Sequence, residues 1–293
     1  MGTEAEVLLV GAPAALLARA RARLEELDAR WSRFRPTSEI SRLNRSGGGV
    51  AIVSPETFGL IAEGVTAWYA TAGRFDPTVL DAVEAAGYDR TFTEVAPDSE
   101  EPVRFRAAPG CRDIVLYPSV HAVRMPLGVR FDPGGIGKGQ AADLVAAEML
   151  TAGAAGVSVN LGGDVRVSGA APTQQGWTIG IADPHHPDAD LCQVALAEGA
   201  AVTSTRLVRQ WRRAGVPLHH LIHPRTGASA WTGVAAVTVV AARAARAEVL
   251  AKAAFLAGVE EGERLLDAAG VSGLIIDDAG ALHFAGPLEG MLV

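Results

Sequence analysis

Between residues 12 and 34, Leu16, Leu17, Ala20, Leu24, Leu27 and Trp31 recur at helical spacing, with arginines and glutamates between them. An apolar face repeating every three to four residues predicts an amphipathic helix there, preceded by a short strand over residues 6–10. Residues 35–44 read as a loop running into a helical turn, which the glycines at 47–49 end. Ser54-Pro55-Glu56 joins an N-cap serine to a proline at the first helical position, so a second helix is expected from there to Thr71. Residues 88–110 are polar, proline-containing and aperiodic, the pattern of a surface loop. Short strand-like pieces follow at 114–117, 121–125 and 129–131, and a helix-compatible run occupies 140–150. Residues 156–167 read as a strand interrupted by Gly162-Gly163-Asp164, 177–182 as an alternating strand broken at Asp183-Pro184, and 194–203 as another.

The remaining pattern is a strand-like segment at 218–222 leading to a Pro-Arg-Thr-Gly turn, and a β-branched run at 235–242. Helices are expected at 244–257 and 261–269, and a hairpin from 274–277 and 282–284. Clustered strands broken by a few long helices define an α+β fold rather than regular βαβ alternation. With no fixed-period repeat and no low-complexity linker, residues 1–293 read as a single unit with room for two intimate subdomains.

Composition narrows the function classes. The chain has 49% hydrophobic and 20% charged residues and a formal charge of -7, a globular balance without the excess positive charge of a nucleic-acid surface. Cys111 and Cys192 are its two cysteines and lack metal-ligand spacing, which speaks against structural zinc and a disulfide framework. No signal-peptide pattern, lipidation signal or membrane-length apolar run is visible, so a cytoplasmic protein without a membrane partner is expected. Of 26 basic Lys and Arg residues, only Lys138 and Lys252 are lysine. In so arginine-rich a chain, a lysine marks a place where a compact ammonium fits better than a planar guanidinium, or is retained by chance.

Residues 132–143 (DPGGIGKGQAAD) place several glycines and Lys138 where an extended run gives way to a helical one. Such a turn can close its N–H groups on a phosphate at a helix N-terminus. It can equally be a tight turn that uses glycine for positive φ and close packing. The spacing matches neither a Walker A loop nor a dinucleotide fingerprint. Elsewhere, Asn160 with Gly162-Gly163-Asp164 reads as a second backbone approach point or a β-bulge, and His185-His186 as a solvated loop.

Seven segments in order carry a resemblance. They are residues 31–44 (WSRFRPTSEISRLN), 73–79 (GRFDPTV), 132–143, 159–169 (VNLGGDVRVSG), 177–184 (WTIGIADP), 202–227 (VTSTRLVRQWRRAGVPLHHLIHPRTG) and 237–258. Together they resemble the ApbE-type FAD:protein FMN transferases. The resemblance implies an ApbE-like α+β fold, with mixed or antiparallel sheets and flanking helices around an FAD cleft. It implies transfer of FMN from FAD to a Thr or Ser hydroxyl of a flavoprotein, with Mg²⁺ and release of AMP. By position, Asn44, Arg74, Phe75, Asp76, Asp132, Lys138 and Ile222 are the cofactor-binding residues, His220 the catalytic histidine, and Gly135 and Glu248 the metal ligands. Taken alone, Asp132 also fits a turn cap, Asp76 an Asx turn, and Phe75 a core position.

The chain departs from the family pattern at Glu248 and Lys252, where members usually carry Asp and Thr that hold the metal from one helix face. Glu248 can bind a hard cation from one methylene further out, but the Lys252 ammonium has no lone pair. Lys252 therefore replaces the metal beside Glu248, or the two form an ordinary i,i+4 pair. His223 stands where the family has Asp, and Thr203-Ser204-Thr205 where Thr-Ser-Gly is commoner. Three readings follow: a transferase with an altered cation arrangement, a non-catalytic FAD- or nucleotide-binding carrier, sensor or partner module, and an FAD pyrophosphatase.

Overall fold

The computed structural model describes residues 3–186 and 189–293. The expected α+β architecture is present, in two compact units. The first comprises residues 28–137 and 206–231, and the second residues 3–27, 138–205 and 232–293.

The second unit is built on a seven-stranded sheet. Its strands are Ala5–Val10, Gly156–Leu161, Asp164–Gly169, Gly199–Thr205, Val234–Ala241, Ser272–Asp277 and Leu282–Ala285. They lie side by side in chain order, every pair antiparallel. Each residue of Val234–Ala241 is buried, as expected of a β-branched central strand covered on both faces. One cover is the helix Ala244–Ala257, which packs across that strand and Gly199–Thr205. On the core side a separate hairpin, Trp177–Ala182 with Asp190–Leu196, contributes Trp177, Ile179, Ile181 and Val194 to a cluster with Val167, Ala236, Leu274 and Leu288.

Two strand expectations need correction in this unit. Residues 156–167 are a hairpin rather than one interrupted strand: Gly162 and Gly163, at φ 64° and 90°, form its two-residue turn. Both positive angles suit the twist of a tight hairpin, and Asn160 Oδ1 accepts the Gly163 N–H at 2.8 Å. Residues 194–203 divide at Ala197-Glu198, where the chain leaves the separate hairpin and enters the large sheet. A β-rich run does not show which sheet each half joins.

The first unit is looser in its regular structure. Val50–Ile52, Ala122–Arg124 and Val115–Tyr117 form a small sheet, and Gln210–Arg213 pairs with Val216–His219. Its longest helix within the unit, Pro55–Ala70, starts as expected, with Ser54 accepting the Thr57 N–H and Pro55 leading. Ser38 likewise caps Glu39–Asn44 through the Ser41 N–H. The short helix Leu80–Ala85 had no pattern long enough to announce it, and buries Ala82 and Val83 against Tyr88, Trp211, Leu218 and Ile222. The long amphipathic helix spans Ala15–Trp31, enclosing its apolar repeat from Leu16 to Trp31 and shorter at both ends than the expected 12–34. Among the described residues, no helix is long and apolar enough to cross a membrane.

Candidate functional site

In the first unit the approach to the glycine turn is not a strand. Residues 129–131 have no ladder partner; instead the Asn44 carboxamide takes that place. Its Oδ1 accepts the Phe131 N–H at 2.7 Å and its Nδ2 donates to the Phe131 carbonyl at 2.9 Å. One side chain thus satisfies both backbone groups of a buried residue, as a neighbouring strand would. Asp132 follows, bonded through its N–H to the Pro77 carbonyl and accepting the Gly134 N–H at 2.9 Å through Oδ1. It caps the single turn Pro133–Gly135, so its turn-capping role is real. The buried Arg33 guanidinium, stacked 4.3 Å from the Phe34 ring and 4.5 Å from that of Tyr88, lies 3.8 Å from the same carboxylate.

Asp76 is equally committed to the fold. Its Oδ1 accepts both the N–H and the hydroxyl of Thr78, at 2.8 and 2.6 Å, and its Oδ2 accepts the Trp68 indole N–H at 3.0 Å. Burial raises its proton affinity, against the pull of the Thr78 and Trp68 bonds. Phe75 is 3% exposed and Arg74 half-buried. The segment is thus an Asx turn with a core phenylalanine, and the aspartate holds the turn whatever else it contacts.

The adjacent histidines differ sharply. His219 is fully buried; its Nδ1 accepts the Leu221 N–H at 3.3 Å, leaving the ring proton on Nε2 to donate to the Ala230 carbonyl at 3.0 Å. Burial pushes its pKa down to about 4, with the Arg206 charge adding to the effect. It is a neutral structural histidine. His220 follows the strand end, at a bend, and is half-buried. Ile222 is buried at an isolated antiparallel bridge to Ser229.

The second unit holds the lysines. Gly137–Thr151 is a helix that starts at the glycine turn itself, earlier than the apolar run suggested. Lys138, in its first turn, sets Nζ 2.5 Å from Asp164 Oδ2. Burial pushes the Asp164 carboxyl up, and the Lys138 ammonium pulls it down. Gly139 N–H, one of the donors a helix leaves unpaired at its start, goes to Glu248 Oε2 at 2.9 Å. The favour is returned one turn on, where Asp143 accepts the Ala244 and Ala245 N–H groups at 2.9 and 3.1 Å, capping the helix Ala244–Ala257. A Cβ at Gly139 would lie 2.5 Å from the Ala244 carbonyl carbon, so only glycine permits this approach.

Glu248 is fully buried, and its other oxygen, Oε1, lies 3.1 Å from Lys252 Nζ. These donors do not fit a divalent ion. One Glu248 oxygen is bonded to a backbone N–H and the other faces an ammonium. Among the described residues, no group of three or more His, Cys, Asp or Glu side chains could hold a metal.

The expected residues therefore fall into two sets: Asn44, Arg74, Phe75, Asp76, Asp132, Gly135, His220 and Ile222 in the first unit, and Lys138, Glu248 and Lys252 in the second. Sequence patterning did not single out Arg33, whose stacking neighbour Tyr88 is distant in the chain, or Asp143 as a helix cap. Asp164 stood out only as the end of a glycine pair, although its position opening a strand after a Gly-Gly turn was the available signal.

This architecture is that of ApbE proteins. The crystal structure of the ApbE protein from Thermotoga maritima matches it with a TM-score of 0.88 at 25% identity, over 99% of this chain and 96% of that one. The chain belongs to the ApbE family, whose model matches residues 1–275. An FAD:protein FMN transferase of Rhodobacter capsulatus is 30% identical over 296 residues, covering 98% of this chain. The chain spans only 55% of that relative's length. One from Treponema pallidum is 30% identical over 273 residues, covering 86% of this chain and 74% of the relative. The flavin transferase ApbE of Vibrio cholerae shares the fold at 23% identity, with a TM-score of 0.83 over 100% of this chain and 96% of that one.

Proposed function

We propose that this chain is an FAD:protein FMN transferase, acting on a flavoprotein that offers a Thr or Ser hydroxyl. The match of the family's model to residues 1–275 carries the reading, with relatives of that name in two distant organisms. The chemistry is a phosphoryl-type displacement. The acceptor oxygen bonds to the phosphorus of the FMN half, the bond from that phosphorus to the bridging oxygen breaks, and its electron pair leaves with AMP. Catalysis of such a step is mostly positioning and charge stabilisation. His220 takes the acceptor's proton, a role suited to a half-buried imidazole. Lys138 provides positive charge for the phosphates, and Asp132 and Asn44 hold the turn that precedes it. The protein works in the cytoplasm on this reading, without a membrane or nucleic-acid partner.

The test is incubation of the purified chain with FAD and a co-expressed flavoprotein, followed by intact mass and in-gel flavin fluorescence. A covalent FMN adduct with an equivalent of AMP is expected, and His220→Ala should lose the adduct while retaining FAD. FMN and AMP without an adduct would make the protein a pyrophosphatase. FAD bound and never consumed would make it a carrier or sensor.

A further inference from the structure

Lys138, Asp164, Glu248 and Lys252 come from three elements of the second unit and close as two ion pairs, of 2.5 and 3.1 Å. Their exposures are ordered. The Asp164 and Glu248 side chains are 1% and 0% exposed, whereas those of Lys138 and Lys252 are 21% and 15% exposed. The carboxylates form the floor and the ammoniums the accessible rim. A site for a hard cation has the opposite order, with carboxylate oxygens turned toward the ion. Here each floor carboxylate already faces its own ammonium, and Glu248 also takes the Gly139 N–H at 2.9 Å. A divalent ion entering beside Glu248 would meet the Lys252 ammonium, with both carboxylate oxygens already engaged.

What such a rim suits is an anion. An ammonium carries three donors and a point charge, and phosphate oxygens are its natural partners. It also needs no dehydration of a metal and no second component to bind.

We propose that Lys252 is a built-in replacement for the divalent ion, and that this chain binds its pyrophosphate substrate and transfers flavin without metal. The identity of the reaction rests on the transferase reading above; the metal-free anion rim does not. Lys252 acts through its charge and forms no covalent bond to the substrate. Glu248 is its positioning partner, fixed in turn by the helix N-terminus at Gly139.

The test uses the full chain after treatment with EDTA. Titration with Mn²⁺, followed by the spin-resonance signal of the free ion, should show no saturable site. FAD affinity, read by flavin fluorescence, should be equal in EDTA and in Mg²⁺, and FMN transfer should persist in EDTA. Lys252→Ala should weaken FAD binding in EDTA, slow transfer by about a hundredfold, and recover part of both on addition of Mg²⁺. A saturable Mn²⁺ site in the natural chain that Glu248→Gln abolishes would overturn the proposal. So would transfer that stops in EDTA and returns with Mg²⁺, or a folded Lys252→Ala chain as active in EDTA as the natural one. The Mn²⁺ and FAD titrations of the natural chain need no variant to fold. They also separate the two ideas: no transfer under any condition defeats the transferase reading and metal-free transfer with it, while metal-independent FAD binding that Lys252→Ala weakens still upholds the lysine as the metal's replacement in binding.

Discussion

The two units use their polar side chains in different ways. In the second, charged groups sit on regular elements and close on each other or on helix N-termini: Lys138 with Asp164, Lys252 with Glu248, Asp143 with Ala244 and Ala245. In the first, polar groups hold irregular backbone: Asn44 grips Phe131, Asp76 grips Thr78, and His219 grips Leu221 and Ala230. Among these groups, those of the second unit are matched by charge and those of the first by hydrogen-bond geometry. At these positions, substitutions that change charge alone should therefore hurt the second unit, and those that change donor and acceptor geometry should hurt the first.

The largest test of that contrast is Glu248→Ala. It leaves the Lys252 ammonium without its carboxylate and the Gly139 N–H without its acceptor, and should cost about 4 kcal/mol in urea unfolding. Next is pH. With its pKa near 4 in the folded chain and 6.5 as the ordinary value, His219 must be neutral to stay where it is. Its contribution is complete above pH 6.5 and lost as pH falls to about 4, amounting to roughly 3 kcal/mol. His219→Gln should remove that part of the slope in a pH series of unfolding midpoints. Asn44→Ala should cost about 2 kcal/mol by stranding two backbone groups of Phe131. Asn44→Asp should cost at least as much, since it presents an acceptor to the Phe131 carbonyl; a harmless Asn44→Asp would break the comparison. The smallest effect is expected at His186, exposed beside Asp183, where His186→Ala should leave the thermal midpoint unchanged.

The same contrast explains what could be read from the chain. Periodicity located most of the second unit: the buried strand at Val234–Ala241, the helix Ala244–Ala257 and the closing hairpin all follow their apolar patterns. It failed where the partner is remote. Phe131, the last of the strand-like residues 129–131, pairs with an asparagine side chain, which no alternation encodes. The divided run at 194–203 belongs to two sheets, a fact that lies in topology rather than in composition. The glycine turn was legible as a turn, but nothing in the pattern set Gly139 apart. The need for glycine there, a backbone carbonyl of another helix where a Cβ would be, is contributed by residues more than a hundred positions away.

That last distance has a kinetic consequence. Gly137–Thr151 and Ala244–Ala257 each supply the carboxylate that finishes the other's first turn, across separations of 109 and 101 residues. Closing a chain segment of that length costs roughly 4 kcal/mol in entropy before any contact repays it. Neither helix end can consolidate early by itself, so the pair should lock together after the folding barrier is crossed. Substitutions at Asp143 or Glu248 would then leave the refolding rate nearly untouched and appear almost wholly as faster unfolding. The mutual cap acts as a latch on the finished molecule, setting how long it stays folded more than how quickly it arrives.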